Sequence, residues 1–206
     1  FDTDEKYQQM VKAYYRLITQ VDDVVGEMVE ELKKHGLDRN TIIIFMGDNG
    51  FFLGEHGLAG KWFAYEESIR IPLMIYDPRN PVGRRIRNMA LNIDISPTIL
   101  EYAGATIPPA IQGKPLQNLI RGKTKNWRTS LDYQFAFPPY KQKCEALVTE
   151  NYKYIIYPKL NPVFEELYSV KKDPLETKNL VNDKKFQKKK AEMMKDLEIA
   201  KKQAAI

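Results

Sequence analysis

Cysteine is almost missing from this sequence: Cys144 is the only one in 206 residues. That excludes an internal disulfide and any zinc site built on cysteine. Histidine is nearly as scarce, with two residues, so a histidine-rich zinc site is excluded as well. No apolar run approaches the about 20 residues that a membrane helix needs. No signal peptide is recognisable. The first residue is Phe1 rather than Met, so the natural N-terminus is expected to be processed or to lie elsewhere. Internal repeats are absent. What is present is ordinary for a soluble globular protein, with 43% hydrophobic and 29% charged residues. The length allows one domain or two small ones. The net charge of +5 invites a nucleic-acid reading. The excess sits mostly between Lys184 and Lys202, however, where Phe186 is a single aromatic, and aromatics do not alternate with those lysines as a single-strand platform requires. A solvated helix face explains them, and no nucleic-acid partner is expected.

The chain is organised around residues 41–79, TIIIFMGDNGFFLGEHGLAGKWFAYEESIRIPLMIYDPR. Thr41 to Met46 and Ile71 to Tyr76 read as buried strands. The loop between them is dense in chemistry: Asp48, Asn49, Glu55, His56 and Lys61. Gly47, Gly50 and Gly54 let its backbone turn sharply or approach a ligand. A buried strand ending in a polar, glycine-rich loop is how open α/β sheets build sites.

Before this segment, Tyr7, Met10, Val11, Tyr14, Leu17, Ile18, Val21, Val25, Met28, Val29 and Leu32 recur at helical spacing over residues 4–35, with Gly36 as the stop. Their stripe is expected to face the core. Trp62 to Ile69 reads as a short helix or turn, with Glu66 and Glu67 structural. Asp77 to Gly83 is a turn cluster, and Arg84, Arg85 and Arg87 follow on an exposed edge. Asn92 to Gly104 reads as a helix capped by Asp94 or Ser96. Ala105 to Asn126 is a candidate linker with a short helix, Leu116 to Ile120. Beyond Trp127, strands are expected near Ser130 to Phe135, Cys144 to Thr149, Tyr152 to Tyr157 and Phe164 to Tyr168. Glu150-Asn151 is hairpin-turn chemistry. A last helix from about Asp183 presents Phe186, Met193, Met194, Leu197 and Ala200 on one face.

Asp48 and Asn49 place a carboxylate and an amide oxygen side by side. Both are hard donors suited to Ca²⁺ or Mg²⁺, although Asp-Asn-Gly is also a common turn. Lys61 could neutralise an anionic substrate or leaving group, or be a solvent-exposed lysine. His56 could donate a hydrogen bond or shuttle a proton. Ca²⁺ takes about 6 to 8 oxygen ligands, and this loop offers two good ones. No convincing nucleophile accompanies them, since Cys144 lies in an expected strand with no base beside it. The loop looks like half of a site.

The string GDNGFFLGEHGLAGKWFAYEESIRIPLMIYDPR closely resembles the C-terminal metal-and-lysine segment of the formylglycine-dependent sulfatases, in the alkaline phosphatase superfamily. Further segments resemble the family in the same order: Asp22-Asp23-Val24-Val25-Gly26, Asp94-Ile95-Ser96-Pro97-Thr98, Gly113-Lys114-Pro115-Leu116, Glu150-Asn151-Tyr152-Lys153-Tyr154-Ile155, and Glu166-Leu167-Tyr168 followed by Asp173-Pro174. The resemblance covers nearly the whole chain. It implies that Asp48 and Asn49 are ligands of a catalytic Ca²⁺, that Lys61 contacts the sulfate, and that His56 is an active-site neighbour. It also implies a nucleophile, formylglycine, made from the Cys or Ser of a Cys/Ser-x-Pro-x-Arg motif.

That motif is not in this sequence, and neither is the family's N-terminal Asp-Asp metal pair; Asp22-Asp23 lies on the amphipathic helix. The chain therefore resembles the C-terminal portion of a sulfatase and is expected to be inactive without its own N-terminal half. The implied fold is α/β. Residues 1–122 would be the C-terminal part of an alkaline-phosphatase-like α/β domain. Residues 123–206 would be a small domain with a four-stranded antiparallel sheet and a C-terminal helix. Phe135 to Lys143, with Phe137, Tyr140 and Lys141, could line a substrate cleft or be a mobile surface loop. By analogy the substrate is a sulfated sugar or another sulfate ester, and the location periplasmic or secreted. A phosphodiesterase or phosphonate hydrolase of the same superfamily and a non-catalytic carbohydrate-binding module are the competing readings.

Overall fold

A computed structural model of the chain describes residues 2–136 and 143–204. The suggested cleft residues Phe137, Tyr140 and Lys141 lie outside the described residues. The chain divides into two compact units, Phe1–Lys61 with Arg70–Gly83, and Trp62–Ile69 with Arg84–Ile206.

The first unit opens with α1, Asp4–Lys34. Thr3 caps it by accepting a hydrogen bond from Lys6 N at 3.3 Å. Asp4 and Glu5 in the first turn and Lys33 and Lys34 in the last suit the helix dipole. At its end Gly36 adopts a positive φ of 66°. Gly36 N donates to Lys33 O at 3.0 Å and Leu37 N to Leu32 O at 2.8 Å, which closes the last carbonyls. The expectation of a core-facing stripe is not met. No residue of α1 is buried. Met10, Val11, Tyr14, Val25, Val29 and Leu32 are half-buried, while Leu17, Ile18, Val21 and Met28 are exposed.

Strands β1, Ile43–Met46, and β4, Leu73–Tyr76, pair antiparallel with Ile43 opposite Tyr76 and Met46 opposite Leu73. They start two residues later than the sequence suggests, and they are not buried. Every β1 residue is half-exposed, and Met74 and Tyr76 are 59% and 48% exposed. A ladder of only two strands cannot bury both of its faces. Between them, β2, Phe52–Leu53, and β3, Ala59–Gly60, form a small hairpin with Phe52 opposite Gly60.

The second unit is built on a four-stranded antiparallel sheet in the order β5-β6-β7-β8. Its strands are β5 Ser130–Ala136, β6 Lys143–Thr149, β7 Lys153–Tyr157 and β8 Phe164–Tyr168. Leu147, Tyr154 and Leu167 are register partners across it. They join Leu180 and Val181 and the buried Met193 and Leu197 of α5, Gln187–Ala204, in one apolar cluster. Each such side chain, fully buried, contributes about 1.5–3 kcal/mol. Met194 is the exception to the expected apolar face of α5, being 39% exposed.

Side chains alternate along a strand, so Ala146, Lys153, Ile155, Glu166 and Tyr168 occupy the opposite face, and they too are buried. The cover is Trp62–Ile69, which contains α2, Glu66–Ile69. Tyr65 Oη donates to Glu166 Oε1 at 2.7 Å. Lys153 Nζ lies 2.9 Å from Glu66 Oε1 and 2.7 Å from Glu176 Oε1. Glu176 Oε2 in turn accepts from Glu66 N at 2.8 Å. The structural role expected of Glu66 is thus observed.

The predicted helix from Asn92 is a short tight turn, Asn92–Asp94, leading into α3, Ile95–Tyr102. Asp94 does not cap α3 with its side chain. It is fully buried and accepts from Leu91 N and Lys114 N, both at 2.8 Å, and from Arg128 Nη2 at 2.7 Å. The suggested linker is accordingly tied down. Leu116 N donates to Thr98 Oγ1 at 2.9 Å. Leu116 and Leu119 are buried, the latter in α4, Gln117–Ile120.

Candidate functional site

The loop after β1 folds locally for plain reasons. Asn49 N donates to Asp48 Oδ1 at 2.8 Å, and Asn49 Nδ2 donates to Gly50 O at 2.7 Å, so the Asp-Asn-Gly turn is closed by its own polar groups. Gly47 N donates to Pro72 O at 3.3 Å, extending the β1–β4 pairing to the edge of the turn. Phe51 stacks on Tyr14 of α1 with centroids 6.0 Å apart.

The β2–β3 hairpin then reverses the chain. Because Phe52 is opposite Gly60, the residues just before β2 return beside those just after β3. Lys61 follows Gly60 directly, and its Nζ donates to Asn49 Oδ1 at 3.0 Å. Gly60 has φ +89, which bends the chain out of the hairpin at that point. Asp48 is exposed, while Asn49 and Lys61 are half-buried. The hairpin thus brings Asn49 and Lys61 into contact, with Asp48 adjacent to Asn49 in the turn.

His56 is placed differently. It sits at the tip of the hairpin in the tight turn Glu55–Gly57, with φ +54. Its ring lies edge-on to Phe52 at 6.3 Å. Glu55 secures the same tip by accepting from Leu53 N at 2.6 Å. Cys144 is buried, and burial pushes its thiol up to about 11, which removes it as a nucleophile near neutral pH.

The donor set is a carboxylate, a carboxamide oxygen and an ammonium. Oxygen donors of this kind suit a hard cation, and an amide oxygen that accepts from Lys61 keeps a second lone pair. The ammonium keeps two of its three protons for an anion. Two oxygens are fewer than the about 6 to 8 that a Ca²⁺ ion takes.

Two family models match the chain. The sulfatase model covers residues 1–105, and the C-terminal model of N-sulphoglucosamine sulphohydrolase covers residues 54–203. The chain belongs to the sulfatase family. It is 36% identical over 206 residues to an N-acetylglucosamine-6-O-sulfatase of Bacteroides thetaiotaomicron, covering 96% of this chain and 37% of that relative. Among solved structures, it resembles one described in complex with its substrate D-glucosamine-2-N,6-O-disulfate. That match has a TM-score of 0.85 and 33% identity, over 96% of this chain and 41% of the other. It also resembles the phosphonate monoester hydrolase of Agrobacterium radiobacter, with a TM-score of 0.87 and 25% identity, over 98% of this chain and 43% of the other. This sulfatase chain therefore spans well under half of those proteins and corresponds to a C-terminal portion of its homologues. Its fold is the expected one: α/β elements, then a four-stranded antiparallel sheet and a C-terminal helix. No helix among the described residues is long and apolar enough to cross a membrane.

One feature escaped the reading of the sequence. Trp62, the residue after Lys61, has φ +94. No residue signal announces a left-handed tryptophan; the only cue was the glycine-rich surroundings.

Proposed function

We propose that this chain supplies part of the active site of a sulfuric ester hydrolase that acts on sulfated carbohydrates. The observation that supports it most is the Lys61–Asn49 hydrogen bond of 3.0 Å, which ties an anion-binding group to a hard-oxygen donor at the end of β1. In this reading Asp48 and Asn49 are two ligands of a Ca²⁺ ion, which when bound would draw electron density from the sulfate ester oxygens. Lys61 offers its remaining protons to the sulfate and the departing oxygen. His56 contributes from the hairpin tip as a hydrogen-bond donor near the substrate. Formylglycine and the other metal ligands belong to the chain's own N-terminal half, so the 206 residues alone do not turn over substrate.

The exposed apolar stripe of α1 and the exposed faces of β1 and β4 support that division, because apolar surface of this extent normally packs against something. In this reading residues 1–122 belong to the large α/β domain and residues 123–206 to the small one, a boundary different from that of the two compact units, which place Trp62–Ile69 and Arg84 onward together. Export to the periplasm or beyond fits a sulfated-sugar substrate, and no nucleic-acid partner is required.

The test is mass spectrometry on the natural gene product, with hydrolysis of N-acetylglucosamine 6-sulfate assayed in parallel. An extended chain carrying an aldehyde at an upstream Cys or Ser, and active on the ester, is expected. A natural product that begins near Phe1 overturns the reading and favours a binding module. A second reading, phosphonate monoester hydrolysis, is favoured by the likeness to the Agrobacterium radiobacter enzyme. Preference for a phosphonate ester over the sulfate ester would decide for it.

A further inference from the structure

Between Arg84 and Leu131 the chain holds eight cationic residues and two acidic ones, Asp94 and Glu101. Asp94 is fully buried and ion-paired with Arg128. Glu101 is half-buried. Arg84, Arg85, Arg87, Arg121, Lys123 and Lys125 are all exposed, and none has a carboxylate partner among the described residues.

The fold gathers these six within the second compact unit. Arg84 Nη1 donates to Ile120 O at 2.8 Å, beside Arg121 at the end of α4. Further along, Met89 O accepts from Trp127 Nε1 at 2.7 Å. Residues 84–89 are therefore tied at both ends to residues 120–127, and the two basic strings lie side by side. Arg121 Nη2 donates to Gln117 Oε1 at 2.9 Å, a neutral partner that leaves its charge uncompensated.

Unpaired charges are costly to strip of water, so a surface of this kind suits neither a core nor an apolar interface. An array of one sign attracts a polyanion. Nucleic acid as a single strand needs open aromatic faces for its bases. The aromatic of these two strings, Trp127, is half-buried and has its N–H on Met89 O. Arg128 lies over its ring at 5.1 Å from the centroid, and Lys114 at 5.9 Å. What the surface offers is charge and guanidinium forks, which grip tetrahedral oxyanions two oxygens at a time. Sulfate groups repeated along a polysaccharide match that offer.

We propose that the surface formed by residues 84–89 and 120–127 binds a sulfated polysaccharide, holding polymeric substrate to the enzyme through its repeated charges; this rests on the sulfatase reading above and adds a binding surface to it.

The test uses the full-length enzyme and two variants with the same change in charge. One carries Arg85→Ala, Arg87→Ala, Lys123→Ala and Lys125→Ala. The other carries Lys184→Ala, Lys185→Ala, Lys188→Ala and Lys195→Ala, on and just before α5. All of these residues are exposed, so folding survives. Heparin is the probe, and its Kd is measured across salt concentrations. In the first variant Kd is expected to rise about tenfold or more, with a shallower dependence of log Kd on log salt, because fewer counterions are released. The second variant binds as the wild type does. Hydrolysis of N-acetylglucosamine 6-sulfate, which has no chain to hold, is unchanged in both. Equal heparin affinity in the wild type and the first variant overturns the proposal. An equal loss in the two variants also overturns it, since net charge alone then explains binding. So does undiminished binding of fully desulfated heparin, and so does a single-stranded oligonucleotide bound as tightly as heparin, which would make this a nucleic-acid surface. None of these binding measurements needs turnover. Heparin affinity lost in the first variant alone, from a wild type that cleaves no sulfate ester, leaves the surface standing while the sulfatase reading fails.

Discussion

Lys61 Nζ and Asn49 Oδ1 are 3.0 Å apart although 12 residues separate them. The β2–β3 hairpin is what closes that gap, because its register sets the residue after Gly60 beside the turn before Phe52. The geometry makes Lys61 a fixed charge rather than a waving one, and fixed charges are the kind that stabilise a developing anion.

Lys61→Ala in the full-length enzyme is expected to lower kcat by about 100-fold or more, the scale of losing a preorganised donor. Thermal unfolding stays nearly unchanged, since Lys61 is only half-buried. An unchanged rate would reduce Lys61 to a loop lysine.

Asp48→Ala is expected to abolish most activity and to lower the calcium content measured by elemental analysis of the purified enzyme. Exposed in its turn, Asp48 has only local structural work to do, accepting from Asn49 N, so folding survives. Normal calcium content in the variant removes Asp48 from the metal site.

Lys153 is wholly buried between Glu66 and Glu176. Burial raises the Glu176 carboxyl pKa, against the pull of Lys153. Lys153→Met strands that carboxyl without its cation and should cost about 3–5 kcal/mol in urea unfolding. Lys153→Met combined with Glu176→Leu should recover part of the loss. A single variant as stable as the wild type refutes the buried pair.

Gly113 is crowded rather than flexible. A Cβ placed there would lie 1.9 Å from Ile93 O and 3.0 Å from Asp94 N, both backbone atoms. Gly113→Ala must therefore shift the chain around buried Asp94, at a cost of about 3 kcal/mol. Denaturant midpoints of the two proteins give the answer directly.

The Cys144 thiol is held up by burial to about 11 against an ordinary value of 9.0. Between those values the unfolded chain has released a proton that the folded chain retains. Stability contributed by Cys144 is full below the lower value and falls as pH rises through the window, by up to about 1.4 kcal/mol per pH unit. Urea unfolding across the window should show this slope, and Cys144→Ala should remove its share of it.

Local pattern was enough for much of this protein. Helical spacing and Gly36 marked α1 and its end, because a 3.6-residue period and a left-handed stop are properties of neighbouring residues. The four strands from Ser130 to Tyr168 were legible to within a residue or two, since alternation and turn chemistry are equally local. Oxygen donors beside glycine in Asp48-Asn49-Gly50, with Lys61 in reach, marked the candidate site. Burial was another matter, since it depends on what packs against a face. The stripe of α1 and the runs of β1 and β4 read as core but are half-exposed. Lys153 and Glu166 stand, by alternation, on the sheet face opposite the apolar cluster, and no neighbouring residue in the sequence shows that this face is covered. They are buried because Trp62–Ile69, whose Glu66 lies 87 residues before Lys153 and Tyr65 101 residues before Glu166, covers that face with partners of matching charge and hydrogen bonding. The left-handed Trp62 belongs with these, because Trp62 N donates to Ser68 Oγ and Tyr133 Oη donates to Trp62 O, and no local pattern contains both partners.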